Sequence, residues 1–133
     1  MKLLLDTHVW IWTQEAVEKL GPETEALLVD PRSTLVVSPI STLEIARLLA
    51  LGGLRLKGRL ETWVNDTLAA LAAQTQEVSH QIARVAYSLP EPFHRDPADR
   101  LLVATARCHA LTLVTADERI LAYPHVRSQD ART

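Results

Sequence analysis

The stretch Thr34-Leu35-Val36-Val37-Ser38-Pro39 joins a continuous apolar run to a residue pair that typically begins a helix. An uninterrupted run of this kind predicts a strand that is buried on both faces. Ser38 is a favoured N-cap, and Pro39 fits the first helical position because an amide hydrogen there would have no partner. The stretch therefore predicts one strand-to-helix unit of a covered sheet.

The same pattern recurs near both ends of the chain. Leu3-Leu4-Leu5 ends at Asp6, and the run 111–115 ends shortly before Asp117. We expect two weaker edge strands at 76–78 and 125–126, and the remaining periodic segments predict helices over 8–20, 22–29, 39–51, 60–73, 79–89, 96–109 and 117–123. Alternating strands and helices favour an α/β fold with a mostly parallel sheet of about four to five strands and helices on both faces.

Composition limits the class of protein. The chain has 133 residues, 47% hydrophobic and 23% charged, which predicts one soluble globular domain over residues 1–133. The net charge of -2 excludes binding to nucleic acid by bulk charge, so such binding would need a local patch. The single Cys108 cannot form an internal disulfide, and no run has the length of a membrane span, so we expect a cytoplasmic protein.

Acidic residues stand where the predicted strands end. Asp6 directly follows a strand, where a lone Asp most often serves as a helix N-cap or turn residue. Asp117 stands just past another strand, where an N-cap and a site residue are equally expected. Glu44 falls in the apolar sector of its helix, where a carboxylate is costly unless it is paired, hydrogen-bonded or bound to a metal. The alternative for Glu44 is a capping box with Ser41, which the better helix start at Ser38 makes less favourable.

The helix over 96–109 opens with two further acids. Asp96 precedes Pro97 and is a natural N-cap. Asp99 shares a helical stripe with Leu102, so it faces the core, whereas Arg100 occupies a different face. Pairing with the helix dipole explains an acid in the first turn, but it does not explain an inward-facing one.

The carboxyl ends of parallel strands meet at one edge of a sheet, so Asp6, Glu44, Asp99 and Asp117 are expected to converge. Clustered carboxylates repel one another and raise each other's pKa, which a bound cation would relieve. An all-oxygen ligand set suits Mg²⁺ or Mn²⁺. The chemistry that follows is metal-assisted hydrolysis of a phosphodiester.

These residues belong to four motifs that together resemble those of PIN-domain proteins, and in particular the VapC-type toxins of toxin–antitoxin pairs. The resemblance extends from about Leu3 to Val126. The motifs are Leu4-Leu5-Asp6-Thr7-His8, Ser38-Pro39-Ile40-Ser41-Thr42-Leu43-Glu44-Ile45, His94-Arg95-Asp96-Pro97-Ala98-Asp99-Arg100-Leu101-Leu102-Val103-Ala104-Thr105-Ala106 and Leu113-Val114-Thr115-Ala116-Asp117.

The resemblance implies an endoribonuclease that uses Mg²⁺ or Mn²⁺ and leaves 5′-phosphate and 3′-hydroxyl ends. It also implies a homodimer that is inhibited by a VapB-type antitoxin, whose C-terminal segment enters the active-site groove. The implied catalytic and metal-binding acids are Asp6, Glu44, Asp99 and Asp117. The implied supporting residues are Asp96, an additional acid, and Thr7 and Thr115, which match small polar positions beside the metal.

Other polar residues near these motifs are weaker candidates. Arg47, Arg55, Lys57 and Arg59 have no acid between them and could hold an RNA backbone, although a solvated loop or a contact with an antitoxin fits equally well. His8 and His94 stand beside the acidic motifs and could touch substrate or metal-bound water, but lone histidines are more often structural. Core packing is expected for both Trp10 and Trp12.

Two other functions fit the same acidic residues. A structure-specific DNA nuclease would use the same site, because metal-assisted attack does not need a 2′-hydroxyl. A non-catalytic RNA-binding or protein-binding module on the same fold would be favoured by a missing acid, and none of the four is missing.

Overall fold

The computed structural model describes residues 1–133 and centres on five strands that are all parallel. Their order in the sheet is β3-β2-β1-β4-β5. The predicted α/β architecture is therefore confirmed. The strands are β1 (Lys2–Leu5), β2 (Thr34–Val37), β3 (Gln74–Thr75), β4 (Thr112–Thr115) and β5 (Ser128–Asp130).

Helices connect the strands and cover both faces of the sheet. They are α1 (Thr7–Glu15), α2 (Pro22–Val29), α3 (Pro39–Ala50), α4 (Leu60–Leu71), α5 (His80–Val85), α6 (Pro97–Cys108) and α7 (Glu118–Leu121). None of these helices combines the length and the apolar character that crossing a bilayer requires. Ser38 caps α3 as predicted, since its hydroxyl accepts a hydrogen bond from the Ile40 amide.

The alternation of side chains along β1 creates two cores. Leu3 and Leu5 face one side of the sheet, where they pack with residues of α1, α3 and α4 such as Trp10. Leu4 faces the other side and packs with residues of α6 such as Leu102. Successive strand residues point to opposite faces, so a short apolar run can anchor two layers of helices.

Four predicted elements differ from the structure, and one of them is the helix expected over 79–89, which ends at Val85. The helix expected over 8–20 ends at Glu15, and a 3-10 turn, Val17–Lys19, follows it. The edge strands expected at 76–78 and 125–126 lie instead at Gln74–Thr75 and Ser128–Asp130. Both edge strands are polar, so pairing with β2 and β4 through the backbone fixes their positions, and hydropathy does not reveal them.

The strand order reverses beside β1. From β1 the chain proceeds through β2 to β3 on one side, whereas β4 and β5 lie on the other side. Such a reversal opens a crevice at the carboxyl ends of the adjacent strands, and ligands of open α/β sheets bind there. The residues that follow β1 and β4 therefore form the natural floor of a site.

Candidate active site

Asp6 directly follows β1 and is held by three partners from two segments. Its Oδ1 accepts a hydrogen bond from the Thr7 amide at 2.7 Å, so it is also the N-cap of α1. Its Oδ2 accepts one from the Thr115 hydroxyl at 2.6 Å, and its own amide donates to the Val114 carbonyl at 3.0 Å. The Asp6 carboxylate is buried, and the start of α1 and the neighbouring strand β4 fix its orientation.

Glu44 reaches the same region from the second turn of α3. Its Oε1 accepts a hydrogen bond from the Thr7 hydroxyl, which also lies 3.0 Å from the Ser41 hydroxyl. The capping-box alternative for Glu44 does not hold, because Ser38 caps the helix and Ser41 lies inside it, facing Thr7. Because Thr7 directly follows Asp6, this hydrogen bond holds the Glu44 carboxylate close to Asp6.

Asp99 and Asp96 stand at the start of α6. Asp96 is the N-cap, and its Oδ1 accepts a hydrogen bond from the Asp99 amide at 3.0 Å. The Asp99 side chain points inward and is buried, in agreement with its helical stripe. His94 approaches it, with 3.1 Å between His94 Nε2 and Asp99 Oδ2, although the two atoms are not aligned for a hydrogen bond.

Asp117 follows β4 and caps α7. Its Oδ1 accepts a hydrogen bond from the Arg119 amide at 2.8 Å, and its Oδ2 lies 3.3 Å from the Arg119 guanidinium. The Asp117 amide donates to the Thr115 hydroxyl at 3.0 Å. Asp117 therefore satisfies the N-cap interpretation and also presents a carboxylate beside Asp6.

All four predicted acids line one cleft of about 310 Å³. The remaining lining residues are His8, Trp12, Asp96, Ala116 and Arg119. Trp12 is only partly buried and forms a wall of this cleft, so the expectation of core packing holds fully for Trp10 alone. The strand ends and helix starts have brought together five carboxylates from four separate segments of the sequence.

The electrostatics of the cleft oppose full ionisation. Burial and the charges of Asp6, Asp96, Asp117 and Glu44 raise the pKa of Asp99 to about 7. Burial also raises the pKa values of Asp6 and Glu44, even though each accepts stabilising hydrogen bonds. For a buried acid, a raised pKa means that the charged form lacks sufficient compensation.

Asp117 differs from the other three acids. Burial by itself would raise its pKa, but the hydrogen bonds and charge of Arg119 outweigh that effect and lower it. Asp117 therefore stays ionised beside acids that are hard to ionise. The donor set of carboxylate oxygens fits a divalent cation, which would compensate all of them together.

The structure does not place the predicted RNA-binding cations in this cleft. Arg47, Arg55, Lys57 and Arg59 are exposed, and none of them lines it. Arg59 forms an ion pair with Glu61 at 3.3 Å. Only Arg47 is close in sequence to a cleft residue, since it follows Glu44 by one turn of α3.

Two arginines of this region were not predicted from the sequence. Arg119 lines the cleft, and its position two residues after the N-cap Asp117 was the available signal. Arg100 was assigned to a different face from Asp99, but it is buried and donates hydrogen bonds to the carbonyls of Ala86, Phe93 and His94. Nothing in the helical pattern indicates these carbonyl partners.

Comparison with known proteins finds relatives that match nearly the whole chain. The chain is 32% identical over 125 residues to Ribonuclease VapC22 of Mycobacterium tuberculosis, covering 94% of each chain. Among solved structures, a VapBC2 complex from Rickettsia felis bound to promoter DNA matches with a TM-score of 0.64 and 16% identity, covering 97% of this chain and 98% of that chain. A toxin–antitoxin complex from Klebsiella pneumoniae matches with a TM-score of 0.64 and 20% identity, covering 97% of both chains.

These two structures share the fold at low identity, and the similarity to the ribonuclease extends over nearly the whole chain. The PIN domain family matches residues 3–126, which include all four predicted motifs. The chain therefore belongs to the PIN domain family.

Proposed function

We propose that this protein is a divalent-metal-dependent endoribonuclease and the toxin of a toxin–antitoxin pair. The observation that carries the proposal is the convergence of Asp6, Glu44, Asp99 and Asp117 in one cleft at the reversal of strand order. The similarity to a protein named as a ribonuclease supports RNA as the substrate.

The four acids are the proposed catalytic and metal-binding residues, with Mg²⁺ or Mn²⁺ as the cofactor. The fit rests on the donor chemistry, because the raised pKa values of Asp6, Glu44 and Asp99 report negative charge that the protein alone does not compensate. A bound divalent cation would supply positive charge at the scissile phosphate and lower the pKa of a water molecule that attacks it.

The residues around the acids have separate proposed roles. Thr115 holds the Asp6 carboxylate through its hydroxyl, and Thr7 holds Glu44 in the same way, so a threonine hydroxyl helps to orient each acid. Asp96 fixes the start of α6 and thereby the position of the Asp99 backbone. Oriented carboxylates bind a cation more tightly because less ordering is required on binding.

RNA binding requires cations, because the acidic cleft repels a phosphate backbone by itself. Arg119 is the cation that lines the cleft. Arg47, Arg55, Lys57 and Arg59 are exposed, and we propose that they contact the RNA backbone farther from the cut.

The proposed partners are a VapB-type antitoxin and a second copy of the chain. The structural similarity to toxin–antitoxin complexes supports an antitoxin as a partner. The proposed compartment is the cytoplasm, which the free thiol of Cys108 supports.

The test is digestion of RNA by the purified, partner-free protein with Mg²⁺, with Mn²⁺ and with EDTA. We expect cleavage that requires metal and is lost in Asp6→Asn. Asp66→Asn is the matched control, because Asp66 is an exposed acid on α4 outside the cleft. Folded protein that cuts no RNA under any of these conditions contradicts the proposal, whereas cleavage of single-stranded or flap DNA alone identifies a DNA nuclease.

A further inference from the structure

One buried nitrogen beside the acidic cleft lies 3.1 Å from Asp99 Oδ2 but makes no hydrogen bond within the protein. His94 Nε2 is closed off from solvent and forms no hydrogen bond. A buried polar atom without a partner costs free energy, so an unpartnered one in a native fold calls for an explanation such as a bound ion.

The position of this nitrogen matches a ligand position of a metal site. One donor atom each from His94, Asp99 and Asp117 can be chosen so that all three lie within 4.8 Å of one another. An octahedral cation with bonds of about 2.1 Å places neighbouring donors about 3.0 Å apart and opposite donors about 4.2 Å apart. The 3.1 Å between His94 Nε2 and Asp99 Oδ2 agrees with a neighbouring pair.

A metal ion bound by both atoms would also explain why they are poorly aligned for a hydrogen bond. In an octahedral site each donor directs its lone pair at the cation, about 45° away from the neighbouring donor. Two ligands can therefore be as close as hydrogen-bond partners without being aligned as such. This is the relationship between His94 Nε2 and Asp99 Oδ2, which are close but form no hydrogen bond.

His94 is also held firmly by the protein. Its carbonyl accepts a hydrogen bond from Arg100 Nε at 2.8 Å, and the preceding carbonyl, that of Phe93, accepts one from the same guanidinium at 2.8 Å. The His94 ring packs edge-to-face against Phe93, with 4.5 Å between the ring centroids. Such support orients a ligand before the metal arrives.

We propose that His94 supplies a nitrogen ligand on the Asp99–Asp117 side of the site and makes this protein selective for Mn²⁺ over Mg²⁺. The inference rests on the proposed function, because it assumes that the acids bind a divalent cation. Imidazole suits transition-metal ions, whereas Mg²⁺ prefers oxygen donors and keeps its water ligands. A site of carboxylates alone would not discriminate in this way.

The direct test is electron spin-echo spectroscopy of the full-length, wild-type protein loaded with Mn²⁺. A ligated imidazole gives modulation from ¹⁴N, and we expect this modulation in the wild-type protein and its loss in His94→Ala. His8→Ala is the matched control, because His8 lines the same cleft but is exposed, so the modulation should persist. Absence of ¹⁴N modulation from the wild-type protein overturns the inference without any variant being needed.

Calorimetric titration with each metal supplies the second readout. In His94→Ala we expect Mn²⁺ affinity to fall at least about tenfold, while Mg²⁺ affinity changes by less than about threefold. His94→Gln, which offers an oxygen in place of the nitrogen, should lose the preference for Mn²⁺ but keep the binding of Mg²⁺. Equal losses for the two metals in folded His94→Ala contradict selectivity by His94.

The two proposals fail in distinguishable ways. Metal-dependent RNA cleavage without ¹⁴N modulation leaves the ribonuclease in place and removes the role of His94. Failure of the wild-type protein to bind either metal overturns both.

Discussion

The Thr115 hydroxyl donates a 2.6 Å hydrogen bond to Asp6 Oδ2, although the two residues are 109 positions apart in the sequence. The register explains the contact, because Leu5 pairs with Val114 and the next residue of each strand lies at the same edge of the sheet. The same hydroxyl accepts a hydrogen bond from the Asp117 amide. A single buried hydroxyl thus connects two of the proposed metal-binding acids.

Replacement of Thr115 by Val removes this hydroxyl and keeps the β-branched shape. We expect the metal affinity of Thr115→Val to fall by about 10- to 100-fold, because the Asp6 carboxylate loses its orienting donor. Calorimetric titration with Mn²⁺ measures the change. Thr115→Ser keeps the hydroxyl, so its metal affinity should remain within a few-fold of that of the wild-type protein. If Thr115→Ser lost as much metal affinity as Thr115→Val, a positioning role for the hydroxyl would be contradicted.

The raised pKa of Asp99 predicts how the stability of the metal-free protein depends on pH. Its pKa is about 7 in the folded protein, against an ordinary value of 3.8 for an aspartate side chain. The folded state therefore binds the proton more tightly, and stability falls as pH rises through this window. At about 1.4 kcal/mol per pKa unit, the loss is at most about 4 kcal/mol.

Asp99→Asn removes this ionisation, so the variant should be more stable than the wild-type protein above pH 7. The difference in the free energy of unfolding should shrink as pH falls toward 4, because the wild-type carboxyl becomes protonated there. Urea denaturation in EDTA at several pH values measures it. A constant difference across the series would show that the Asp99 charge is already compensated in the folded protein.

Much of the sheet, and the convergence of the four acids in one cleft, could be predicted from the sequence. Buried parallel strands are continuous apolar runs, so Leu3-Leu4-Leu5 and the run before Ser38 identify the centre of the sheet without further information. The acids follow from the same logic, since a carboxylate just after such a run stands at the edge where strand ends meet. The inward orientation of Asp99 could be predicted from its position on the apolar stripe of its helix alone.

The edge strands, the burial of Arg100 and the environment of His94 depend on contacts that no local sequence pattern encodes. The polar edge strands are fixed by backbone pairing with a neighbouring strand, which hydropathy does not report. Arg100 looks like a surface residue in its helix, yet carbonyls from another segment surround it. The unpartnered nitrogen of His94 is a property of the folded chain alone.

Arg100 is expected to contribute strongly to stability. Its buried guanidinium donates to three backbone carbonyls, at 2.8 Å to His94 and Phe93 and 3.0 Å to Ala86. Arg100→Met leaves these carbonyls without their donor and should lower the free energy of unfolding by about 3–5 kcal/mol. Urea denaturation measures this change, with Arg107→Met on the exposed side of α6 as the control. A loss below about 1 kcal/mol would mean that water replaces the guanidinium.

Arg119 provides a prediction about the substrate. Its side chain is 62% exposed, pairs with Asp117 at 3.3 Å and lines the acidic cleft. A cation bound at Asp117 would replace the guanidinium as the partner of that carboxylate, so Arg119 becomes free to contact an RNA phosphate. Arg119→Ala should therefore weaken the binding of a phosphorothioate RNA. The steepness of the fall in log K for binding with log salt concentration should also decrease by about 0.7.

The chain offers a matched control for Arg119. Arg32 pairs with Asp30, also two residues earlier, at 2.9 Å, but it precedes β2 and so lies at the opposite end of the sheet from the cleft. Arg32→Ala removes the same charge and the same kind of ion pair, so it accounts for the effect of net charge on RNA binding. Fluorescence anisotropy over a series of KCl concentrations gives both slopes. Equal slopes for Arg119→Ala and Arg32→Ala would mean that Arg119 contacts no phosphate, whereas a smaller slope for Arg119→Ala alone locates an RNA phosphate beside Asp117.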